Sequence, residues 1–256
     1  MKNKPDYGVD APGVLRNLAV LGSVSLLCGL FLARYIPLGS AAGWKRAFLF
    51  LGFVLLAESL LMMLYSQAGK FRHRDRMLCC VEWRGDEAVL DVGTGRGLLL
   101  IGAARQLRSG KAFGIDIWNK EDLSGNAREA TLRNAELEGV LEKVEVLNQN
   151  ATRMEFNDNS FDVVLSNLCL HNIPTPEGRA AACREIARVL KPGGVALISD
   201  YKNTGTYARI FGESGLSVKS MGPYVLDTFP PLRVLRLEKS MVRQVVKSYK
   251  PAHAAT

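Results

Sequence analysis

The residues best suited to chemistry begin at Asp91, in the run Val89-Leu90-Asp91-Val92-Gly93-Thr94-Gly95-Arg96-Gly97. An apolar stretch here runs into three glycines at alternate positions and then into a second apolar stretch. Glycine lets a chain turn sharply and brings backbone N–H groups against a ligand, most effectively where a helix begins. One βαβ unit later the segment Gly114-Ile115-Asp116-Ile117 supplies a carboxylate that can accept both hydroxyls of a ribose. The dinucleotide spacing G-x-G-x-x-G is not completed, because positions 98 and 100 are Leu98 and Leu100, so a nicotinamide cofactor takes second place.

Two more segments follow apolar stretches: Ser166-Asn167-Leu168-Cys169-Leu170-His171-Asn172 and Asp200-Tyr201. In open α/β sheets ligands lie beyond the carboxyl ends of the strands, so these segments should face the reacting partner. His171 is the leading candidate for a general base, since an ordinary imidazole titrates near neutral pH; the alternative is a histidine that bonds a neighbouring carbonyl. Asn167 and Tyr201 join it as candidate catalytic residues. Trp118 could cover a bound base or line the second substrate's pocket, or serve as buried support.

These residues need a scaffold, and beyond Trp83 the sequence supplies a βαβα rhythm. Strands are expected at 87–92, 111–117, 144–148, 161–167 and 195–200, with helices at 97–107, 125–138 and 178–190 between them. Two further apolar strands, at 216–221 and 232–238, would complete a seven-stranded, mostly parallel sheet with helices on both faces.

An acid closing the first strand followed by Gly-x-Gly-x-Gly resembles the first motif of the class I S-adenosylmethionine-dependent methyltransferases. Phe161-Asp162-Val163-Val164 resembles their fourth-strand motif. Arg184-Glu185-Ile186-Ala187-Arg188-Val189-Leu190-Lys191-Pro192-Gly193-Gly194 is similar to the helix-turn-strand signature of the ubiquinone/menaquinone C-methyltransferase-like subgroup. The resemblance implies a Rossmann-like α/β fold and S-adenosyl-L-methionine as methyl donor. It implies a donor site formed by Asp91, Gly93, Thr94, Gly95, Gly97, Asp116, Ile117, Asn150, Ala151 and Ser166, with Asp116 on the ribose and no metal. One position departs from the family: where an Asp usually binds the adenine amino group, this chain has Gln149-Asn150-Ala151, whose Asn150 oxygen can accept that bond without charge.

The first 66 residues have a different character. Val14 to Ile36 is almost continuously apolar, and a second run, Ala47 to Tyr65, contains one ionisable residue, Glu58. Either run is long enough to span a bilayer, and the short Gly/Ser/Ala-rich stretch from Pro37 to Lys45 predicts a tight turn. Residues 1–66 therefore read as a transmembrane hairpin, with helices at about 14–36 and 47–65. Residues 67–82 read as a basic juxtamembrane linker, 83–240 as the methyltransferase domain and 241–256 as a C-terminal tail. A signal peptide cleaved near Gly39 to Ala42 is the rival, disfavoured by the length of the first run and by the second span. Glu58 is expected level with Ser23 and Ser25, bonded to them or protonated. Lys2, Lys4 and Arg16 before the first helix and the cluster after the second outnumber Arg34, Lys45 and Arg46 at the turn, which places both termini and the catalytic domain in the cytoplasm.

Net charge is +8, and the densest basic cluster, Lys70, Arg72, Arg74 and Arg76 with His73, directly follows the second apolar run. There it would meet anionic headgroups, and with no zinc-finger or aromatic RNP spacing a nucleic-acid partner is not expected. The five cysteines, Cys28, Cys79, Cys80, Cys169 and Cys183, form no C-x-x-C pair and read as reduced thiols. The expectation is a membrane-anchored methyltransferase acting on a small, lipophilic acceptor. Alternatives are a membrane adaptor that kept the fold but lost catalysis, and an arsenite or thiol methyltransferase using Cys169 with Cys79 or Cys80.

Overall fold

A computed structural model describes residues 4–35 and 42–241. The expected turn from Pro37 and the tail beyond 241 therefore lie largely outside the described residues. The catalytic part is a seven-stranded sheet of β1 (Ala88–Val92), β2 (Lys111–Asp116), β3 (Val144–Asn148), β4 (Phe161–Asn167), β5 (Leu190–Asp200), β6 (Leu216–Tyr224) and β7 (Leu232–Lys239). Their spatial order is β3-β2-β1-β4-β5-β7-β6. The first five pair in parallel, while β7 runs antiparallel to both β5 and β6. β1 is nearly all apolar because helices cover both its faces, the usual condition of a parallel strand.

Helices α4 (Leu98–Ala104) and α5 (Arg128–Leu137) lie on one face, and α6 (Pro176–Val189) and α7 (Thr204–Glu213) on the other. Thr175 caps α6 by accepting from Gly178 N–H, with Pro176 at the first helical position. The helix α7 was not foreseen in the sequence. It lies between two expected strands and buries Tyr207, Ile210 and Phe211.

Helices α1 (Pro12–Tyr35) and α2 (Ala42–Leu64) pack against each other. Both are long and apolar enough to cross a membrane by length and composition. Small residues set their approach: a Cβ on Gly22, Gly29 or Gly52 would fall within 3.0 Å of the facing helix. Leu21, Leu27, Phe31, Phe50 and Phe53 point outward, uncovered by the other described residues. Glu58 does not meet the two serines. Ser23 bonds Ala19 O of its own helix and Ser25 bonds Phe48 O. Glu58 instead lies between the Gly22–Leu56 and Leu15–Ser59 contacts, about one turn nearer the sheet. The glycine contacts, not polar pairing, fix the register.

Residues 67–82, expected as a linker, are mostly helical. After α2 the backbone makes one π-turn, Tyr65–Gly69, closed by Lys70 N–H to Tyr65 O, and continues as α3 (Lys70–Leu78). Lys70, His73 and Met77 share one face of α3 and are buried against the catalytic part. The expected headgroup role therefore fails for Lys70 and His73, and Arg76 is paired with Asp227. Gly102 of α4 permits this packing, because a Cβ there would meet Leu78 and Arg74 at 2.8 and 2.9 Å.

The N-terminal segment closes the joint. Lys70 Nζ donates to Tyr7 O and Gly8 O and lies 3.5 Å from Asp10. Ser66 Oγ donates to Asp10 Oδ2 at 2.9 Å and accepts from Asp10 N–H at 3.1 Å. The feet of the two apolar helices are thus clasped to each other.

Candidate functional site

The glycine-rich loop leaves β1 with Gly93, Gly95 and Gly97 at φ of 73°, 53° and 87°, a region that L side chains rarely adopt. Gly93 and Thr94 N–H both donate to Ile115 O of β2, which folds the loop back over the sheet. Asp91 anchors it: one carboxylate oxygen, Oδ2, accepts from Thr94 Oγ1 and from Leu100 N–H, each at 2.9 Å. Burial pushes the Asp91 carboxyl up to about 7 against those two bonds. Asp91 and Thr94 are therefore placed to shape the loop from beneath.

Asp116 ends β2 beside the loop. Its Oδ2 accepts from Gly95 N–H at 2.8 Å and its Oδ1 from Trp118 N–H at 2.7 Å and Asn126 Nδ2 at 3.3 Å. A carboxylate has about four lone-pair sites, so acceptor capacity remains for sugar hydroxyls. Ile117 next to it is 63% exposed, an uncovered apolar surface at the place where the resemblance puts the adenosine. Trp118 and Leu168 both adopt positive φ, at 62° and 54°, and such strain in non-glycine residues clusters at functional sites.

Asn150 sits in the turn after β3, where its Oδ1 accepts from Thr152 N–H and Thr152 Oγ1 at 2.9 and 3.0 Å. Both lone pairs of that oxygen are engaged within the turn that also holds Ala151. Ser166 is buried in β4 and donates to Val92 O at 2.9 Å, which ties the two central strands together just below the loop.

Parallel pairing sets Leu165 against Asp91, so Asn167 reaches the level of Gly93. Next to it, Cys169 packs so tightly on the loop that a Cβ on Gly93 would fall 2.3 Å from its Sγ. His171 lies behind. Its Nδ1 is 2.8 Å from Asp200 Oδ1, its backbone N–H donates to Asp200 Oδ2, and its ring stands edge-on to Tyr201 with centroids 4.7 Å apart. Asp200 is fully buried at the end of β5 and also accepts from Tyr201 N–H. The structure thus gathers His171, Tyr201 and Asp200 into one cluster.

Several supporting groups carry no local sequence signal. Thr131 Oγ1 donates to Gly95 O at 2.6 Å, and Asn134 Nδ2 donates to Arg96 O and Asp6 O. These two α5 residues hold the loop from outside. Polar side chains three apart beside inward-facing Ala135 were the available clue. The loop at 119–126 is pinned to the N-terminal segment: Ser124 N–H donates to Val9 O, Val9 N–H to Ser124 Oγ, and Ala11 N–H to Asp122 O. Burial raises the Asp122 carboxyl above the usual carboxylate range.

Cys79 and Cys80 follow α3 at the end away from Tyr65, and burial and nearby carboxylates push the Cys169 thiol well above the usual range. No group of three or more metal-binding side chains converges among the described residues, so the thiolate set an arsenite site requires is not assembled. All five cysteines are free.

Residues 90–198 match the family model described as a methyltransferase domain. Among curated proteins, the ubiquinone/menaquinone biosynthesis C-methyltransferase of Escherichia fergusonii is 35% identical over 123 residues, 48% of this chain and 45% of that protein. The ribosomal protein L11 methyltransferase of Syntrophotalea carbinolica is also 35% identical, over 119 residues, 46% of this chain and 34% of its own. The chain thus aligns with less than half the length of these curated relatives. In fold it is similar to an S-adenosylmethionine-dependent methyltransferase from Aquifex aeolicus, with TM-score 0.51 and 19% identity, covering 64% of this chain and 88% of that one. With the sheet order and the glycine-rich loop, these matches make residues 90–198 a class I S-adenosylmethionine-dependent methyltransferase domain.

Proposed function

We propose that the chain is a membrane-anchored enzyme that transfers a methyl group from S-adenosylmethionine to a small, lipophilic acceptor, with its catalytic domain and both termini in the cytoplasm. The observation that carries the proposal is the bond from Ala11 N–H, at the foot of α1, to Asp122 O in the loop that begins at the ribose acid. The apolar hairpin is thereby joined directly to the site. Outward-facing Leu, Val and Phe side chains on both helices support a lipid environment, since a soluble chain rarely leaves so much contiguous apolar surface uncovered. The match to a protein named for quinone biosynthesis supports a lipophilic acceptor, and the basic residues on either side of the helices support the orientation.

The bound donor supplies an electrophilic methyl on a sulfonium. The chain's own residues position, exclude water and move a proton. Gly93, Gly95 and Gly97 let the loop backbone approach the donor. Asp116 holds its ribose, Ile117 packs against its base, Asn150 and Ala151 border the base edge, and Ser166 keeps β4 fixed under the reacting centre. His171, whose Nδ1 lies 2.8 Å from Asp200 Oδ1, takes the acceptor's proton on Nε2. A donor bound here would supply the methyl group and leave as a neutral thioether, with the acceptor's proton received by His171. Asn167 and Tyr201 border the acceptor.

The test uses the full chain in phospholipid vesicles with methyl-labelled donor. Label is expected in lipid-soluble acceptors, and His171→Gln should lower kcat about 100-fold or more while the donor Kd stays unchanged. Label confined to water-soluble acceptors, with no gain from vesicles, would overturn the lipophilic assignment. Full kcat for the variant across the pH range would remove the base. No donor binding by calorimetry at millimolar concentration would remove the whole reading.

A further inference from the structure

The continuation of the second apolar helix fixes which end of the sheet faces the hairpin. Gly69, in the π-turn, lies so close to the β6–β7 connection that a Cβ there would fall 2.2 Å from Asp227 O. One turn on, His73 Nε2 is 2.7 Å from Ser199 Oγ near the end of β5, and after α3 Cys80 O accepts from Arg236, which pairs with Leu197. α3 therefore runs from the carboxyl end of β5 back toward its start, and the apolar helices rise from the rim at which the strands end. On the other side, Asp10 bridges Leu123 and Ala11 N–H donates to Asp122 O, both in the loop after β2. The rim that carries the glycine-rich loop thus faces the hairpin.

β5 and β6 are both antiparallel to β7, so the turn from β6 into β7 lies on that rim too. Its tip holds two adjacent apolar side chains in the open: Val225 is 59% exposed and Leu226 98%. A single exposed leucine needs no explanation. This pair differs because the backbone around it is braced. Arg76 donates to Asp227 at 2.5 Å and lies over the Tyr224 ring at 4.1 Å, while Thr228 Oγ1 donates to Tyr224 O and accepts from Leu232 N–H. The turn is held from folding back onto the protein. Leu64, the last outward leucine of α2, is 51% exposed, and Gly69 stands five positions further, about 7 Å along the helix. The headgroup layer beside the hydrocarbon is roughly 5–8 Å deep. A bilayer around the hairpin therefore brings its headgroups down to Gly69, where the tip is held. Ile117 and Tyr201, both exposed, lie on the same rim just past β2 and β5.

We propose that the β6–β7 tip is a second membrane contact: Val225 and Leu226 enter the headgroup layer of a phospholipid bilayer and hold the mouth of the donor site against it. The tip and the hairpin meet through Gly69, so the lipid that surrounds the helices also reaches the tip. Interfacial segments of this kind bury their apolar side chains at the boundary of headgroups and acyl chains. An acceptor dissolved in that leaflet then reaches the site without crossing water. The inference rests on the membrane-anchored reading above and adds the face that the catalytic head turns to the bilayer.

The experiment places a tryptophan at each contact in turn, Leu226→Trp and Leu60→Trp, in the full chain reconstituted into phosphatidylcholine vesicles. Both positions are exposed, so neither change disturbs packing within the chain. Emission beyond that of wild type, which has three tryptophans, is recorded with lipid brominated near the headgroup end of its acyl chains and, separately, with iodide in the water. The added emission of Leu226→Trp is expected to fall by about half or more with brominated lipid, as for a side chain seated at the headgroup boundary. If Leu60→Trp is quenched by the lipid and Leu226→Trp is not, the tip stands clear of the bilayer and the proposal is overturned, while the hairpin reading holds. Iodide then separates a tip bare in water from one covered by protein. If brominated lipid quenches neither, the membrane reading fails and the tip contact fails with it.

Discussion

Glycine serves two different purposes in the two halves of this molecule. In the hairpin, Gly22, Gly29 and Gly52 lie within helices, and what they provide is closeness: a Cβ on Gly52 would meet Leu26 N at 2.7 Å and Gly22 O at 2.9 Å. In the loop after β1, Gly93, Gly95 and Gly97 provide backbone conformation, since all three have positive φ. Substitution in the hairpin should push two helices apart without straining either backbone. Substitution in the loop strains the backbone of the site itself. The hairpin is held by shape and the site by dihedral angle and hydrogen bonds, so the two should fail independently.

The largest effect that sharpens this contrast is expected from Gly93→Ala. It adds a left-handed alanine and a Cβ 2.3 Å from Cys169 Sγ, together about 2–5 kcal/mol. Calorimetry should show donor binding weakened at least tenfold while the variant partitions between vesicles and buffer as wild type does. Unaltered donor affinity would break the distinction.

A second prediction concerns the joint. His73 is 1% exposed, and burial, reinforced by the Arg76 charge, holds its imidazole down at about 4. The unfolded chain protonates this group near 6.5 and the folded one only near 4. Its contribution is therefore complete above about pH 6.5 and is lost as pH falls to 4, by about 3 kcal/mol. Asp91, raised to about 7, acts with the opposite sign over an overlapping range, so the difference between wild type and His73→Gln isolates the histidine. Denaturant melts from pH 4 to 7 should show that difference changing with pH, and a constant difference would refute it.

The smallest effect is expected from Gly52→Ala, about 1–3 kcal/mol, because backbone atoms of α1 cannot yield to the new methyl. Thermal melts in detergent should register the loss while donor Kd stays within about twofold. A matching fall in donor affinity would mean that the two halves are coupled through the hairpin interior.

The sheet was legible because its strands are buried apolar runs closed by turn residues; all seven expected strands are present, the fifth beginning at Leu190, five residues before its expected start. The loop was legible because positive φ requires glycine at fixed positions. Other features depended on contacts between distant residues. Thr131 and Asn134 support the loop from more than thirty positions away, and the clasp of Asp10 to Ser66 joins residues 56 apart. The cluster from Lys70 to Arg76 misled because charge suggested anionic lipid headgroups, whereas the helical period placed Lys70, His73 and Met77 on one inward face. Glu58 misled because a polar residue in an apolar helix suggested a polar partner, while glycine packing had already determined the register.

From Gly43 the second helix continues to Leu78 through its π-turn, 36 residues or about 54 Å of unbroken coil. A catalytic head mounted on such a rod has no swivel. If the apolar end is seated in a bilayer, the head stands at a set angle and height, and its search for substrate is confined to the plane of the membrane. Turnover would then follow the mole fraction of substrate in the lipid, so adding inert phospholipid at constant bulk concentration should slow the reaction.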